Sequence, residues 1–236
     1  MGAPLRKIIA LAAMLALAGL SPAIADEAKP FTDAKVVNLT ILLPPPPAAD
    51  SMQTKSEIAA VLALQVERTP EELKHAQADD EETVWRFGGE LFGAKFDKAK
   101  LPKFAAFFDR IIETEAAVVD PAKKTLGRLR PHLVSDLVRP AVEPSKSGSY
   151  PSGHTTLGTL EGIVLANMVP EKRAEIMARA WDYGHSRLVV GIHYPSDIEM
   201  GRISGTVIAE TIMRQDDFKA EFEPAKAELR AALGLN

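Results

Sequence analysis

Residues 102–119 read PKFAAFFDRIIETEAAVV, and this stretch decides the fold. Phe104, Phe107, Phe108, Ile111 and Ile112 recur at the three- and four-residue spacing of one helix face, with charged residues between them. Pro102 suits a first helical turn, where the missing N–H is no loss. Asp120-Pro121 reads as the end of this helix and the cap of the next.

The same period runs outward in both directions. Downstream, residues 132–150 are rich in proline and serine and read as a loop. His154–Met168 is apolar and small, and its Gly158 and Gly162 would let another helix come close. Glu171–Val190, Pro195–Arg214 and 216–233 read as three more helices. Upstream, Thr54–Glu67 carries Ile58, Val61, Leu62 and Val66 at helical spacing, and Thr69-Pro70-Glu71-Glu72 is a capping box with proline at the first helical position. Residues 26–50 read as an extended arm stiffened by Pro44-Pro45-Pro46-Pro47, with Ile41-Leu42-Leu43 to pack it onto the domain. Few segments alternate with period two. The expectation is an all-α, single-domain helical bundle over 51–236.

The N-terminus has the three parts of an export signal. Arg6 and Lys7 precede the apolar run Ile8–Leu20, and Ala23-Ile24-Ala25 offers a small-residue cleavage site before Asp26. Cleavage after Ala25 would leave no later run of some 18 apolar residues, so the mature protein is expected to be soluble, with no membrane attachment, in the periplasm. The formal net charge of −4 argues against a nucleic-acid polymer as partner. With no cysteine in the chain, disulfides, thiolate metal sites and cysteine nucleophiles are excluded.

Three clusters carry chemistry. Lys123 and Arg130 lie seven residues apart, which on a helix is two turns along one face. Alone they fit a solvated basic surface better than a binding site. Gly148-Ser149-Tyr150-Pro151-Ser152-Gly153-His154-Thr155 places Pro151 at a helix start, so the N–H groups of Ser152, Gly153 and His154 would form an anion site. An incidental serine cap is the plainer alternative. In Ser186-Arg187…His193-Tyr194-Pro195-Ser196-Asp197, proline again marks a helix start. His193 then sits at a chain reversal, and Asp197 can accept a hydrogen bond from one ring N–H and leave the other nitrogen unprotonated and nucleophilic. A structural His–Asp pair fits the same spacing. Together the clusters offer Lys123, Arg130 and Arg187 as fixed cations, two histidines and an orienting carboxylate. Phosphoryl transfer without a metal needs that inventory. A two-histidine metal site fits poorly, because three cations would repel the ion.

The order K-x6-R-P, P-S-G-H, S-R-x5-H-x3-D resembles the signature of the type 2 phosphatidic acid phosphatase superfamily, at Lys123, Arg130, Pro131, Pro151, Ser152, Gly153, His154, Ser186, Arg187, His193 and Asp197. Gly148–Thr155, Leu42–Pro47 and Arg68–Asp80 are similar to the class A bacterial nonspecific acid phosphatases. The resemblance implies an all-α fold of the acid phosphatase and haloperoxidase type, with hydrolysis of small phosphate monoesters. It implies His193 as nucleophile, Asp197 as its orienter and His154 as general acid. It implies phosphate binding by Lys123, Arg130, Ser152, Gly153 and Arg187. It also implies no metal and no cofactor, a periplasmic location and a homo-oligomer. A vanadate-dependent haloperoxidase and a lipid-phosphate phosphatase share the signature and are the alternatives. His132 stands where an aromatic residue is frequent. His75, His132 and His185 fall outside the motifs and read as structural or solvent-exposed.

Overall fold

A computed structural model describes residues 28–235, which form ten α-helices and no strand. The proposed signal, residues 1–25, lies outside the described residues. Residues 28–50 are more than an extended arm. The Asn38 side chain accepts the Thr40 N–H at 3.0 Å and caps one turn of helix, α1 (Leu39–Leu42). Phe31, Val37, Leu39 and Leu43 are buried in the main core, whereas Ile41 and Leu42 face outward.

Ser51 caps α2 (Met52–Glu67) through the Thr54 N–H. Of the four apolar residues at helical spacing here only Val61 is fully buried, and Val66 is 83% exposed. The helix also turns Thr54 and Glu57 inward, so a polar edge seats it. The Thr69–Glu72 capping box opens α3 (Pro70–Ala78), and Thr83 caps α4 (Val84–Phe92).

The next helix, α5, runs unbroken from Pro102 to Leu126, so Asp120-Pro121 does not end it. A proline inside a helix deprives the carbonyl four residues back of its donor. That carbonyl belongs to Ala117, and the Ala34 N–H of the arm donates to it at 3.3 Å. The arm therefore supplies the bond that Pro121 removes. The helix stops at Gly127, whose φ of +58° suits a left-handed cap and whose N–H returns to the Lys123 carbonyl at 3.0 Å. A further turn, α6 (Pro131–Val134), falls inside the stretch read as loop.

The remaining helices are α7 (Gly153–Met168), α8 (Arg173–Val189), α9 (Pro195–Ile212) and α10 (Asp216–Leu233). Helix α7 is the axis of the bundle and packs on α8, α9 and α5. Glycines permit the close approach: a Cβ at Gly158 would lie 2.6 Å from Tyr183 Cδ1, and one at Gly205 would lie 2.5 Å from the Thr156 carbonyl oxygen. On the far side of α5, Phe107 meets Phe218 and Phe222 of α10, and Phe31 packs on both Phe107 and Phe218. The end of α5 and the starts of α7 and α9 converge on one end of the bundle, where the polar site sits.

Candidate active site

His193 follows Gly191, whose φ of +77° turns the chain between α8 and α9. It lies at the reversal, as its spacing requires, but it is buried (2% exposed). Its Nδ1 is 3.2 Å from Asp197 Oδ2 and 3.3 Å from Ser149 Oγ. Its Nε2 is 3.2 Å from Arg130 Nη1. A guanidinium only donates, so Nε2 is the acceptor and the proton is assigned to Nδ1. Burial, reinforced by Arg130, Lys123, His154 and Arg187, holds the ring well below the usual imidazole range. Burial thus favours the neutral form of His193, with a lone pair on Nε2.

Asp197 is held from four directions. It accepts from Ser149 Oγ at 2.5 Å, from the Tyr194 N–H at 2.9 Å and from Arg128 Nη1 at 2.6 Å, besides His193. Burial pushes its carboxyl up, and Arg128, Ser149 and the Tyr194 N–H offset part of that. Arg128 reaches further with Nη2, 2.6 Å from Glu57 Oε2 on α2. Sequence reasoning missed Arg128, Ser149 and Glu57. Arg128 and Ser149 lie inside quoted motifs, but nothing local marks their partners.

Lys123 and Arg130 do not share a helix face. Lys123 ends α5, and Arg130 sits at the N-cap position of α6 beyond the Gly127 turn. Both still line one cavity of about 420 Å³ together with Gly153, His154 and His193. The start of α7 also differs in detail from expectation. Pro151 lies before the N-cap, not in the first turn, so the Ser152 N–H is spent on the Asp197 carbonyl at 3.0 Å. The Ser152 hydroxyl accepts from Thr155, and the residue is fully buried. Gly153 and His154 remain as the helix-start donors at the cavity. Arg187 is fully buried behind the cavity lining, bonded to Asp80 Oδ1 at 2.9 Å and to the Ala76 carbonyl at 2.8 Å, with its Nε unpartnered.

His154 Nδ1 is 2.7 Å from Glu82 Oε1, Nε2 is 3.2 Å from the Asp80 carbonyl, and the ring stacks on Tyr183. Both nitrogens face acceptors. Against its own burial, Glu82 is held below the usual carboxylate range by the hydrogen bond and charge of His154, with Lys123 and Arg187.

Among the described residues one group could coordinate a cation: His75, Asp79 and Asp182 bring ligand atoms within 4.8 Å of one another. Asp79 is already occupied there. It accepts from Arg86 Nε at 2.8 Å, Arg179 Nη1 at 2.9 Å and Ser186 Oγ at 2.7 Å. Two guanidiniums oppose a further cation, so the group reads as an ion-pair hub that ties α3, α4 and α8 together.

Residues 111–220 of this chain match the model of the PAP2 superfamily. That span contains every residue assigned above from the signature. Among curated relatives, the chain is 29% identical to a non-specific acid phosphatase of Salmonella typhimurium over 214 residues, covering 87% of this chain and 86% of that one. It is 34% identical to an acid phosphatase of Zymomonas mobilis over 144 residues, covering 59% of this chain and 54% of that one. The fold resembles that of a transmembrane PAP2 type phosphatidylglycerolphosphate phosphatase from Bacillus subtilis, with a TM-score of 0.51 and 18% identity over 77% of this chain and 94% of the other. Among the described residues here, no helix is long and apolar enough to cross a membrane.

Proposed function

We propose that this protein is an acid phosphatase that hydrolyses phosphate monoesters through a phosphohistidine on His193, without a metal. The observation that carries the reading is the His193 ring, with Nδ1–H held by Asp197 and the Nε2 lone pair turned to Arg130 beside Lys123, Gly153 and His154. Nε2 attacks phosphorus and the P–O ester bond breaks. The departing oxygen takes a proton from His154. Water then attacks phosphorus, gives a proton back to His154 and breaks the P–N bond, releasing inorganic phosphate and restoring His193. Lys123, Arg130, Arg187 and the Gly153 N–H balance charge on the phosphoryl oxygens. A Ser152 hydroxyl contact belongs to the same proposal and requires the side chain to leave its cap. The acid names of the relatives agree with a nucleophile whose burial favours the neutral form and a general acid that must carry a proton.

The proposal extends to the whole chain: an export signal over 1–25, an arm over 26–50 and the catalytic domain over 51–236, located in the periplasm. Assembly into a homo-oligomer rests on the resemblance alone. Purified protein should turn over aryl and alkyl monoesters in excess chelator and be inhibited by vanadate, which mimics the pentacoordinate state. Rapid-quench labelling should place phosphate on His193. Activity lost to chelator and restored by a divalent ion, or label on another residue, overturns the reading.

A further inference from the structure

Glu115 lies on α5, two turns before Lys123, and no motif accounts for it. It lines the same cavity as Lys123, Gly153 and His193, yet it is only 9% exposed. Its Oε1 is buried without a hydrogen-bond partner, and an unpaired buried polar atom is costly to keep. The atom faces a defined spot. A Cβ built on Gly153 would stand 3.2 Å from Glu115 Oε1 and 3.3 Å from Lys123 Nζ. The carboxyl and the ammonium therefore flank the first residue of α7, whose N–H opens on the cavity. The absence of a side chain at 153 leaves that approach clear.

Resting on the phosphatase reading, we infer that Glu115 contacts the bound phosphoryl group as a neutral carboxylic acid, donating a hydrogen bond to an oxygen held between Gly153 and Lys123. An ionised carboxylate would repel the phosphate dianion there; a protonated one adds a donor and leaves the cationic field of Lys123 and Arg130 intact. The groups around it favour the neutral form. Burial first, and Glu82 second, push its carboxyl up to about 8, with Asp120 adding to the rise and Lys123 opposing it. Glu161 of α7 is buried nearby with both oxygens unpartnered. Arg130, His154 and His193 line the same cavity. As pH rises through about 8, Glu115 ionises and phosphate affinity falls.

The test is direct calorimetric binding of inorganic phosphate between about pH 5 and 9, to wild type, Glu115→Gln and Glu115→Ala, with KM and kcat for a nitrophenyl ester measured alongside. At pH near 6, Glu115→Ala should bind phosphate roughly 10-fold more weakly, the loss of one hydrogen bond to a charged group. Its KM should rise by a similar factor with kcat little changed. Glu115→Gln keeps an N–H donor and should stay within about 3-fold of wild type. Above pH 8 the wild type should weaken by roughly 10-fold per unit and Glu115→Gln should not share that limb. Lys123, which burial also brings below the usual lysine range and the Glu115 charge partly restores, adds an alkaline limb of its own, so the same comparison in a Lys123→Arg background, whose cation does not titrate in this range, isolates Glu115. Melting curves by circular dichroism check that each variant is folded. Glu115→Gln as weak as Glu115→Ala at pH 6 would mean that a carboxylate is required, and would overturn the inference. So would identical alkaline limbs in wild type and Glu115→Gln, or no phosphate binding at all. Phosphate binding with the expected pattern but no ester turnover would uphold Glu115 and defeat the phosphatase reading instead.

Discussion

Replacing Arg128 by methionine should separate the stability of this protein from its activity along the pH axis. The guanidinium is 7% exposed, stacks on Tyr194 at 3.8 Å and bridges Asp197 to Glu57. Methionine keeps much of the packing but leaves Asp197, fully buried, without its cation. Removing one partner of a buried ion pair costs about 3–5 kcal/mol, and at this chain length that is roughly 10 °C or more in Tm. The sign with pH follows from Asp197, whose folded pKa already lies above its ordinary value and would rise further without Arg128. Such a carboxyl imposes no penalty below its unfolded value of about 3.9. The penalty grows as pH climbs to the raised folded value and is constant beyond. Arg128→Met should therefore melt closest to wild type near pH 4 and fall furthest behind at neutrality. Activity should not recover with the fold. A protonated Asp197 donates to His193 instead of accepting, which favours the wrong tautomer, and a comparable Asp→Asn change lowers kcat by about 10⁴ in the serine-protease triad. The assay is thermal melting and ester turnover on the same samples at pH 4, 5, 6 and 7. A melting deficit of the same size at pH 4 and pH 7, or a kcat within 10-fold of wild type throughout, would refute the reasoning.

Three further variants test the site and the packing. His154→Asn should lose up to about 10²–10⁴-fold with alkyl phosphates and far less with nitrophenyl phosphates, while His193→Asn should lose both alike; parallel leaving-group plots for wild type and His154→Asn would remove the acid role. Gly205→Ala would place a methyl group 2.5 Å from the Thr156 carbonyl oxygen, backbone that cannot swing aside. It should destabilise by about 1–3 kcal/mol, read as a lower Tm with KM unchanged; an unshifted Tm would show that α7 and α9 can separate freely.

Local sequence carries local geometry, and the bundle was legible to that extent. The aromatic spacing of 104–112, the capping box at Thr69 and the prolines at 102 and 195 each act within one or two turns, and the helices start where they indicate. Pro121 misleads for the opposite reason. Whether an internal proline breaks a helix depends on what satisfies the bared carbonyl, and the donor, Ala34, is 83 residues away in sequence. Pro151 likewise reads as a first-turn proline only while the Asp197 carbonyl that engages Ser152 is out of sight. Motif spacing named Lys123, Arg130, Gly153, His154 and His193 of the cavity lining, but not Glu115 beside them or Arg128 and Glu57 further back. Arg128, Glu57 and Glu115 owe their importance to burial and distant partners, and no periodicity encodes either.

The packing of Phe31 on Phe107 and Phe218 has a consequence for how the molecule is made. The two ends of the described chain meet across α5, so the segment synthesised early has no complete seat until α10 exists. Until then Phe31 is an exposed aromatic on a tether, and the Ala117 carbonyl competes for whatever donor is near. Folding in order of synthesis is thus denied to this protein's outer layer. Contacts of such long sequence separation form slowly, because the intervening loop must close first. Helices α7 to α9, with their short connections, are free to assemble ahead of that closure. Helix α10, made later, is then the element that locks the earlier arm in place.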